Sequence, residues 1–244
     1  MPPPLLGAVT RVFSAALSLA VALLVPALLV VTSVRLVAGD WYVRFLYDHG
    51  GIPADRYGLS SEERARLALV GLRAILPGDD PGLARLRRAR LADGSPAFGG
   101  REIAHMADVR SLLERAYRFQ VLALLALLTA AAVTFPARRL RRAIPLGLRL
   151  GAWLTIGLAL LVGGVSVLSW SSFSTPFHSL FFEGDSWRFA DTDTLRRLYP
   201  DRFWVDTAIA LGALALLQAL ALLALLRLAR LLPRARAPRL ARQS

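Results

Sequence analysis

The fold is decided by one long apolar stretch, residues 207–229, which reads TAIALGALALLQALALLALLRLA. It is long enough to cross the roughly 30 Å hydrocarbon core of a bilayer as a helix. Inside lipid the backbone must satisfy its own hydrogen bonds, so a helix is the structure expected for such a run. Three similar runs lie at about residues 12–34, 117–136 and 148–168. The sequence therefore predicts an all-α integral membrane protein with four transmembrane helices.

The first run differs from a signal peptide because its apolar stretch is too long and no small-x-small cleavage site with a polar linker follows. We interpret it as a retained span that Pro26 kinks. The predicted division of the chain is then as follows: residues 1–36 for the N-terminus and first span, 37–116 for a large extracytoplasmic loop, 117–168 for the second and third spans with an Arg-rich cytoplasmic loop at 137–147, 169–206 for a short aromatic extracytoplasmic loop, and 207–244 for the fourth span and a basic cytoplasmic tail.

The charges predict the orientation of these spans. All 30 basic residues are Arg, and 12 of them lie in the N-terminal, 137–149 and C-terminal regions, which contain no Asp or Glu. All 17 acidic residues lie in the other two segments, 35–118 and 169–206. The positive-inside rule makes the acid-free side cytoplasmic, so both termini are predicted there. The net charge of +13 therefore reflects the orientation of the chain in the membrane, and nucleic-acid binding is not expected.

The two outer segments carry local signals for a helical extracytoplasmic region. Ser60 and Glu63 have the spacing of a capping box. The predicted elements are a helix at about 61–76, a short Arg-rich helix at 84–92, a helix that starts near Arg101 and runs into the second span, a short helix from Thr175-Pro176 to Phe182, and a short helix after Asp193 that Pro200 ends.

Two histidines are the candidate catalytic residues. His105 and His178 lie in different outer segments, each near the end of a predicted span, so both can reach one site at the outer membrane interface. Imidazole is the side chain best suited to proton transfer near neutral pH. Asp108, three residues after His105, is placed to fix its tautomer. Structural packing of two separate histidines is the competing interpretation.

A metal site is less favoured than acid–base chemistry. The chain has no Cys, which excludes disulfides, thiol catalysis and Cys-ligated metals. No HExxH or similar spacing supports a zinc site. The short outer segment is instead dense in aromatic residues, which suits membrane-interface packing or a wall that holds acyl chains.

Four motifs in order between the spans resemble those of the lipoprotein intramolecular transacylase (Lit) family. They are RYGLS at 56–60, REIAHMADVR at 101–110, FHSLFFEGDSWRF at 177–189 and TDTLRRLYPDRFW at 192–204. The resemblance spans nearly the whole chain, and the ordered set is more specific than any one motif. One departure is Arg110, at a position where many members of the family have Lys.

The resemblance implies an acyltransferase of the bacterial cytoplasmic membrane. Such an enzyme moves the sn-2 acyl chain of a diacylglyceryl-modified lipoprotein to the α-amine of the lipoprotein's own N-terminal Cys. The paired histidines of the family fall on His105 and His178. Tyr57 and Arg188 are candidate oxyanion helpers, and Asp185 lies close after His178. No metal or cofactor is implied, and the expected partners are diacylglyceryl lipoproteins and membrane lipid.

Two other functions stay open at this point. One is a non-enzymatic membrane module that binds lipid or lipoprotein, and the other is a metal-dependent membrane hydrolase. Transport is disfavoured because no acid or Arg lies deep in an apolar run, and Gln218 is the only sizeable polar residue there. The sequence does not distinguish which histidine is the base.

Overall fold

The computed structural model describes residues 4–78, 81–137 and 140–231, and all regular elements in these ranges are helices. They are α1 (Pro4–Val37), α2 (Asp40–His49), α3 (Ser61–Ile75), α4 (Ala84–Arg88), α5 (Gly100–Thr134), α6 (Ala143–Leu168), α7 (Trp170–Phe181), α8 (Thr194–Leu198) and α9 (Asp201–Leu231). Within these residues, α1, α5, α6 and α9 are long and apolar enough to cross a membrane. The predicted four-span, all-α architecture is confirmed.

Part of the predicted basic side of the protein lies outside the described residues. Arg138 and Arg139 of the loop between the second and third spans are not among them, and neither is the tail from residue 232 onward. The described remainder of that side includes Arg141 and Arg142, which precede α6.

The bundle is built around α6, which packs against α1 and α9. The closest approach to α1 occurs at Gly147 and Gly151, one helical turn apart. A Cβ atom built on Gly151 would lie 2.5 Å from Cβ of Val25 and 2.8 Å from the carbonyl oxygen of Ala22. Small residues spaced by four let two helix backbones approach in lipid, where no hydrophobic effect drives helices together.

Polar side chains join α1 to two other spans. The Gln120 amide on α5 donates to Thr32 Oγ1 at 2.8 Å, and the Gln218 amide on α9 donates to Ser33 Oγ at 2.8 Å. Thr32 and Ser33 are neighbours on α1, so one turn of that helix is tied to both. The side chain of Arg35 continues this network by donating to Gln120 Oε1 at 2.6 Å. Gln120, like Gln218, therefore has a structural partner.

The remaining helices form a second layer, which we call the cap: residues 38–78, 81–99 and 169–200 together with the first turns of α5. Because α1, α5, α6 and α9 cross in succession, these two connections emerge on the same side of the bundle. The cap has its own apolar core, in which Leu67, Leu86 and Leu198 are almost fully buried. The predicted continuity between the helix starting near Arg101 and the second span is confirmed by α5.

Backbone carbonyls hold the two connections of the cap together. Arg64 of α3 is buried, and its guanidinium donates to the carbonyl of Arg197 at 3.0 and 2.7 Å and to that of Pro53 at 2.7 Å. Tyr47 donates to the carbonyl of Leu198 at 2.6 Å. These bonds satisfy a buried cation and fix α8, which belongs to the second connection, against the first.

An ion pair adds to this attachment. Arg197 donates to Asp55 at 2.8 Å, and both side chains are largely shielded from solvent. The hydrogen bond from the Arg197 guanidinium, assisted by the backbone N–H of Leu59, lowers the pKa of Asp55 to about 2. Asp55 therefore stays ionised at every pH at which the protein is expected to work.

Two predicted helix boundaries were wrong. The helix predicted to start at Thr175-Pro176 begins at Trp170, with Pro176 inside it. A ladder of rings along α7 stabilises these extra turns, with ring centroids of Phe173 and Phe177 5.6 Å apart and those of Phe177 and Phe181 5.0 Å apart. The Arg-rich helix predicted at 84–92 ends at Arg88.

The early end of α4 has a clear cause. Backbone hydrogen bonds cross between the segments on either side of a turn, from Leu91 N–H to the Ser95 carbonyl and from Ala97 N–H to the Ala89 carbonyl. Those bonds replace the helical ones.

One half of the capping box predicted at the N-terminus of α3 is confirmed, because Ser60 Oγ accepts a hydrogen bond from the Glu63 N–H at 3.1 Å. The Glu63 side chain instead accepts from the Ala92 N–H at 3.1 Å.

Packing at Gly151 gives the first testable prediction. We expect Gly151→Ala to lower the stability of the protein in detergent by about 1–3 kcal/mol, because the new methyl group overpacks the contact with α1. The measurement is the thermal unfolding midpoint by intrinsic fluorescence. Gly157→Ala is the matched control, since nothing lies within 4 Å of a Cβ at that position of the same helix. Equal midpoints for the two variants would contradict the close packing.

Candidate active site

His105 lies in the second turn of α5, buried in the cap at 9% exposure. Its ring packs edge-on against Phe182, with centroids 4.9 Å apart, and against Phe189, with centroids 5.4 Å apart. Among the described residues, Nδ1 of His105 is buried without a hydrogen-bond partner. A buried polar atom left in this state is costly, so a native site that keeps one calls for an explanation such as a ligand.

His178 lies on α7 and has a defined hydrogen bond. Its Nδ1 is 2.7 Å from the carbonyl oxygen of Ser174, one turn earlier on the helix. A carbonyl only accepts hydrogen bonds, so in this contact Nδ1 carries the hydrogen. The neutral ring then has its lone pair on Nε2. The ring stacks on the indole of Trp187 with centroids 4.6 Å apart and planes inclined by 21°.

The two imidazoles meet on one phenyl ring. Phe182 contacts both, with its centroid 4.9 Å from that of His105 and 5.8 Å from that of His178. Both histidines also line a single cavity of about 560 Å³. The structure thus brings together the two residues that the sequence singled out, although they belong to different connections of the chain.

The cavity lies at the junction of the cap and the membrane bundle. Its wall includes Val37 at the end of α1 and Thr207 in the second turn of α9, together with Met106 of α5 and Leu72 of α3. Much of the remaining wall is aromatic: Tyr42, Trp170, Trp187, Phe189, Tyr199, Phe203 and Trp204. An apolar chamber at this depth suits a ligand with hydrocarbon chains.

Charged residues of the second connection and of the start of α9 contribute to the polar part of the cavity wall. Arg196 donates to Asp201 at 2.6 Å and to Asp191 at 3.3 Å. The hydrogen bond to Asp201 raises the pKa of Arg196 above its ordinary value. Arg188 also lines the cavity, and it pairs with the exposed Asp185 at 3.2 Å. The wall therefore offers paired charges beside its apolar surface.

The other candidate residues from the sequence are less closely placed. Asp108 is exposed and makes no hydrogen bond to His105, because His105 lies on the buried face of α5. The tautomer bond suggested by their spacing is therefore absent from the structure. Tyr57 is outside the cavity wall, with its ring 5.6 Å from the Arg197 guanidinium. Asp185 contacts the cavity only through Arg188.

Sequence reasoning missed two residues that shape the site. Glu102, one turn before His105, is buried, and its carboxylate accepts from the N–H of Gly99 at 2.7 Å and from that of Leu195 at 2.6 Å. Its position three residues after the helix N-cap was the available signal. Trp187 gave no signal beyond membership of an aromatic-rich segment, since its contact with His178 is tertiary.

Metal binding finds no support in the described residues, where no group of three or more His, Asp or Glu side chains is arranged to hold an ion. A larger cavity of about 960 Å³ lies between α2 and α3 and is rimmed by charged side chains such as Arg44 and Glu62. It includes neither histidine. The cavity that holds both candidate histidines is the smaller one at the membrane junction.

Comparison with known proteins identifies relatives over most of the chain. The sequence model of the family described as lipoprotein intramolecular transacylase Lit matches residues 19–204. An uncharacterized protein of Aquifex aeolicus is 30% identical over 204 residues, which are 82% of this chain and 88% of that protein. The matched range includes both histidines, and the resemblance seen in the sequence is confirmed.

Solved structures with the same fold come from Bacillus cereus. The in meso structure of its membrane integral lipoprotein intramolecular transacylase Lit superposes with a TM-score of 0.69 at 19% identity, covering 91% of this chain and 96% of that one. Two variants of that protein, in which one histidine is replaced by arginine or by alanine, give a TM-score of 0.63. At this identity the likeness establishes the fold.

The His178 hydrogen bond gives a prediction about its tautomer. We expect neutral His178 to carry its proton on Nδ1, with Nε2 unprotonated, because Nδ1 faces the Ser174 carbonyl. Nitrogen-15 chemical shifts of histidine-labelled protein report this directly. His178→Gln assigns the signal, and the exposed His49, which stacks on Phe45, serves as the internal comparison. A His178 signal from the Nε2–H tautomer would contradict the geometry.

Proposed function

We propose, because this chain belongs to the lipoprotein intramolecular transacylase Lit family, that it moves an acyl chain within a diacylglyceryl-modified lipoprotein. The chain would pass from the sn-2 ester of the glyceryl group to the α-amine of the lipoprotein's N-terminal Cys. The product is a lyso-form lipoprotein. Family membership makes the protein an acyltransferase, and the particular donor and acceptor are the content of this proposal.

The observation that carries the proposal is the convergence of His105 and His178 on one cavity at the membrane junction. Two imidazoles from separate connections share the Phe182 ring, and the wall around them is mostly apolar. A lipid ester has this character, with a polar reacting centre attached to long hydrocarbon chains. Nδ1 of His105 is buried and has no partner among the described residues, a state that is rare for polar atoms whose role is packing alone.

His178 is the general base in this mechanism. An amine attacks only when neutral, and an α-amino group has a pKa near 8. Nε2 of His178 has the free lone pair, because Nδ1 donates to the Ser174 carbonyl. It removes a proton from the amine as the nitrogen–carbon bond forms. No activated serine or cysteine is required, since the amine is itself the nucleophile.

His105 acts at the leaving group. Collapse of the tetrahedral intermediate breaks the bond between the carbonyl carbon and the sn-2 oxygen, and that oxygen must gain the proton that the amine lost. His105 packs on the same Phe182 ring as His178, and no group of the described residues is hydrogen-bonded to its Nδ1. It holds the leaving oxygen while the proton passes from His178. The reaction is then balanced, with one proton moved from nitrogen to oxygen and no cofactor consumed.

Positioning of the substrate contributes the rest of the rate enhancement. Donor ester and acceptor amine belong to one molecule, so the enzyme needs only to fold that molecule into a reactive conformation. Aromatic residues such as Trp170 and Trp204 line the cavity together with the histidines. They would restrict the acyl chains and exclude water, which otherwise competes with the amine for the ester.

The charge distribution supports an extracytoplasmic site. All 17 acidic residues lie in segments 35–118 and 169–206, which form the cap and the adjoining ends of the spans, whereas the segments on the opposite side of the bundle carry Arg without acids. The positive-inside rule therefore favours termini in the cytoplasm and the cavity at the outer face of the membrane. Diacylglyceryl lipoproteins in the outer leaflet would reach the cavity from the lipid.

Replacement of either histidine provides the test. We expect His105→Ala and His178→Ala each to reduce formation of the lyso-form product by about 10²-fold or more, because each removes a proton-handling group. The measurement is mass spectrometry of lipoprotein N-terminal peptides from cells that express the protein. His49→Ala is the matched control, since His49 is exposed at the end of α2 and outside the cavity.

The alternatives give different results in the same assay. A non-enzymatic lipid-binding module would yield no lyso-form even as wild type. A metal-dependent hydrolase would lose activity with a chelator and would release free fatty acid. Full activity of both histidine variants, in protein that inserts normally, would overturn the assignment of the pair.

A further inference from the structure

Trp187 lines the same cavity as the two histidines, and its indole nitrogen, like Nδ1 of His105, is buried. Trp187 lies in the segment between α7 and α8, and its Nε1 has neither solvent contact nor a hydrogen-bond partner among the described residues. An indole N–H only donates. Leaving such a donor unsatisfied is costly, so its retention beside His178 points to an acceptor supplied by the ligand.

Three other donors in the cavity wall are already engaged. The hydroxyl of Tyr42 donates to Thr207 at 3.2 Å, and that of Tyr199 donates to the carbonyl of Ala68 at 2.7 Å. The guanidinium of Arg196 bonds to two carboxylates. Trp187 therefore differs from these residues in having a hydrogen to give without breaking a protein contact.

The placement of the indole relative to His178 suits a shared substrate group. The two rings stack with centroids 4.6 Å apart and planes only 21° from parallel. The N–H of indole and the Nε2 lone pair of imidazole each lie in the plane of their own ring. Two nearly parallel planes at this spacing can contact neighbouring atoms of one small group, such as the nitrogen and the carbonyl oxygen of a forming amide.

The loop that carries Trp187 is held in place from the cap side. Arg101, one turn before His105, donates to the carbonyl of Arg188 at 3.0 Å. Its guanidinium also lies over the ring of Phe189, 5.9 Å from the centroid. The residue after Trp187 is thus fixed to the helix that carries His105, which fixes the indole relative to both imidazoles. A donor used in catalysis must be preorganised in this way.

We propose that Nε1–H of Trp187 donates a hydrogen bond to the carbonyl oxygen of the transferred acyl group and stabilises the negative charge on that oxygen in the tetrahedral intermediate. This role rests on the proposed function, whose base and leaving-group residues it completes. No proton moves in the contact. Negative charge accumulates on the oxygen as the amine adds to the carbonyl carbon, and it returns to the carbon–oxygen bond as the sn-2 oxygen leaves.

The first test is Trp187→Phe in the full-length protein, assayed with a diacylglyceryl lipopeptide in detergent micelles. Phenylalanine keeps an aromatic ring to stack on His178 and removes the donor. We expect kcat to fall about 10²-fold with KM nearly unchanged, because a single oxyanion donor acts mainly in the transition state. Trp153→Phe is the matched control, since Trp153 is an exposed indole on α6 outside the cavity.

A second variant separates hydrogen bonding from shape. Trp187→β-(3-benzothienyl)alanine retains the bicyclic ring and replaces N–H with sulfur. We expect the same fall in kcat, with the thermal midpoint and the His178 nitrogen-15 shifts unchanged. If Trp187→Phe fails to fold, this variant alone decides the question.

Three results would overturn the proposal. They are a kcat within threefold of wild type for either folded variant, a loss confined to KM, or a loss for phenylalanine that benzothienylalanine restores. Failure of the proposed function itself gives a separate signal, since wild-type protein would then form no lyso-lipopeptide at all.

Discussion

The site depends on one buried carboxylate, that of Glu102. It accepts backbone N–H groups from Gly99, at the start of its own helix, and from Leu195 of α8. His105 follows one turn later on α5, whereas α8 belongs to the connection that carries His178. One side chain thus joins the two parts of the chain that supply the imidazoles. Without its carboxylate oxygens, two buried backbone N–H groups would have no hydrogen-bond acceptor, so replacement of Glu102 by an apolar residue would be destabilising.

Around this carboxylate, the cap achieves rigidity without covalent crosslinks. The chain has no Cys, and α8 is instead attached by hydrogen bonds to main-chain carbonyls, those of Arg197 from Arg64 and of Leu198 from Tyr47. Side chains of the first connection therefore bind the backbone of the second. Such contacts depend on the backbone conformation of α8 and not on its side chains. They leave the faces of α7 and of the following loop available to line a cavity.

Much of this architecture could be predicted from local signals. Apolar length gave the four spans, helical spacing gave the continuous α5, and Ser60 gave the start of α3. The histidines were identifiable because imidazole is rare in this chain and suited to proton transfer. Two predictions about the site failed. Rings spaced by four residues stack along α7 and carry the helix through Pro176, which the sequence analysis took for its start. Asp108, predicted to hold His105, is exposed, and the contact of His178 with Trp187 depends on the path of a loop that local spacing does not specify.

The unbroken course of α5 from cap to membrane has a physical consequence for where the enzyme can work. At 1.5 Å per residue the helix is a rod of roughly 50 Å, so the height of His105 above the midplane is set by residue count. In a bilayer of different thickness, the glycerol backbones of the lipids would lie at a different height relative to His105. In the proposed reaction, membrane thickness, through lipid chain length and temperature, would then determine whether the ester and the imidazole lie at the same depth.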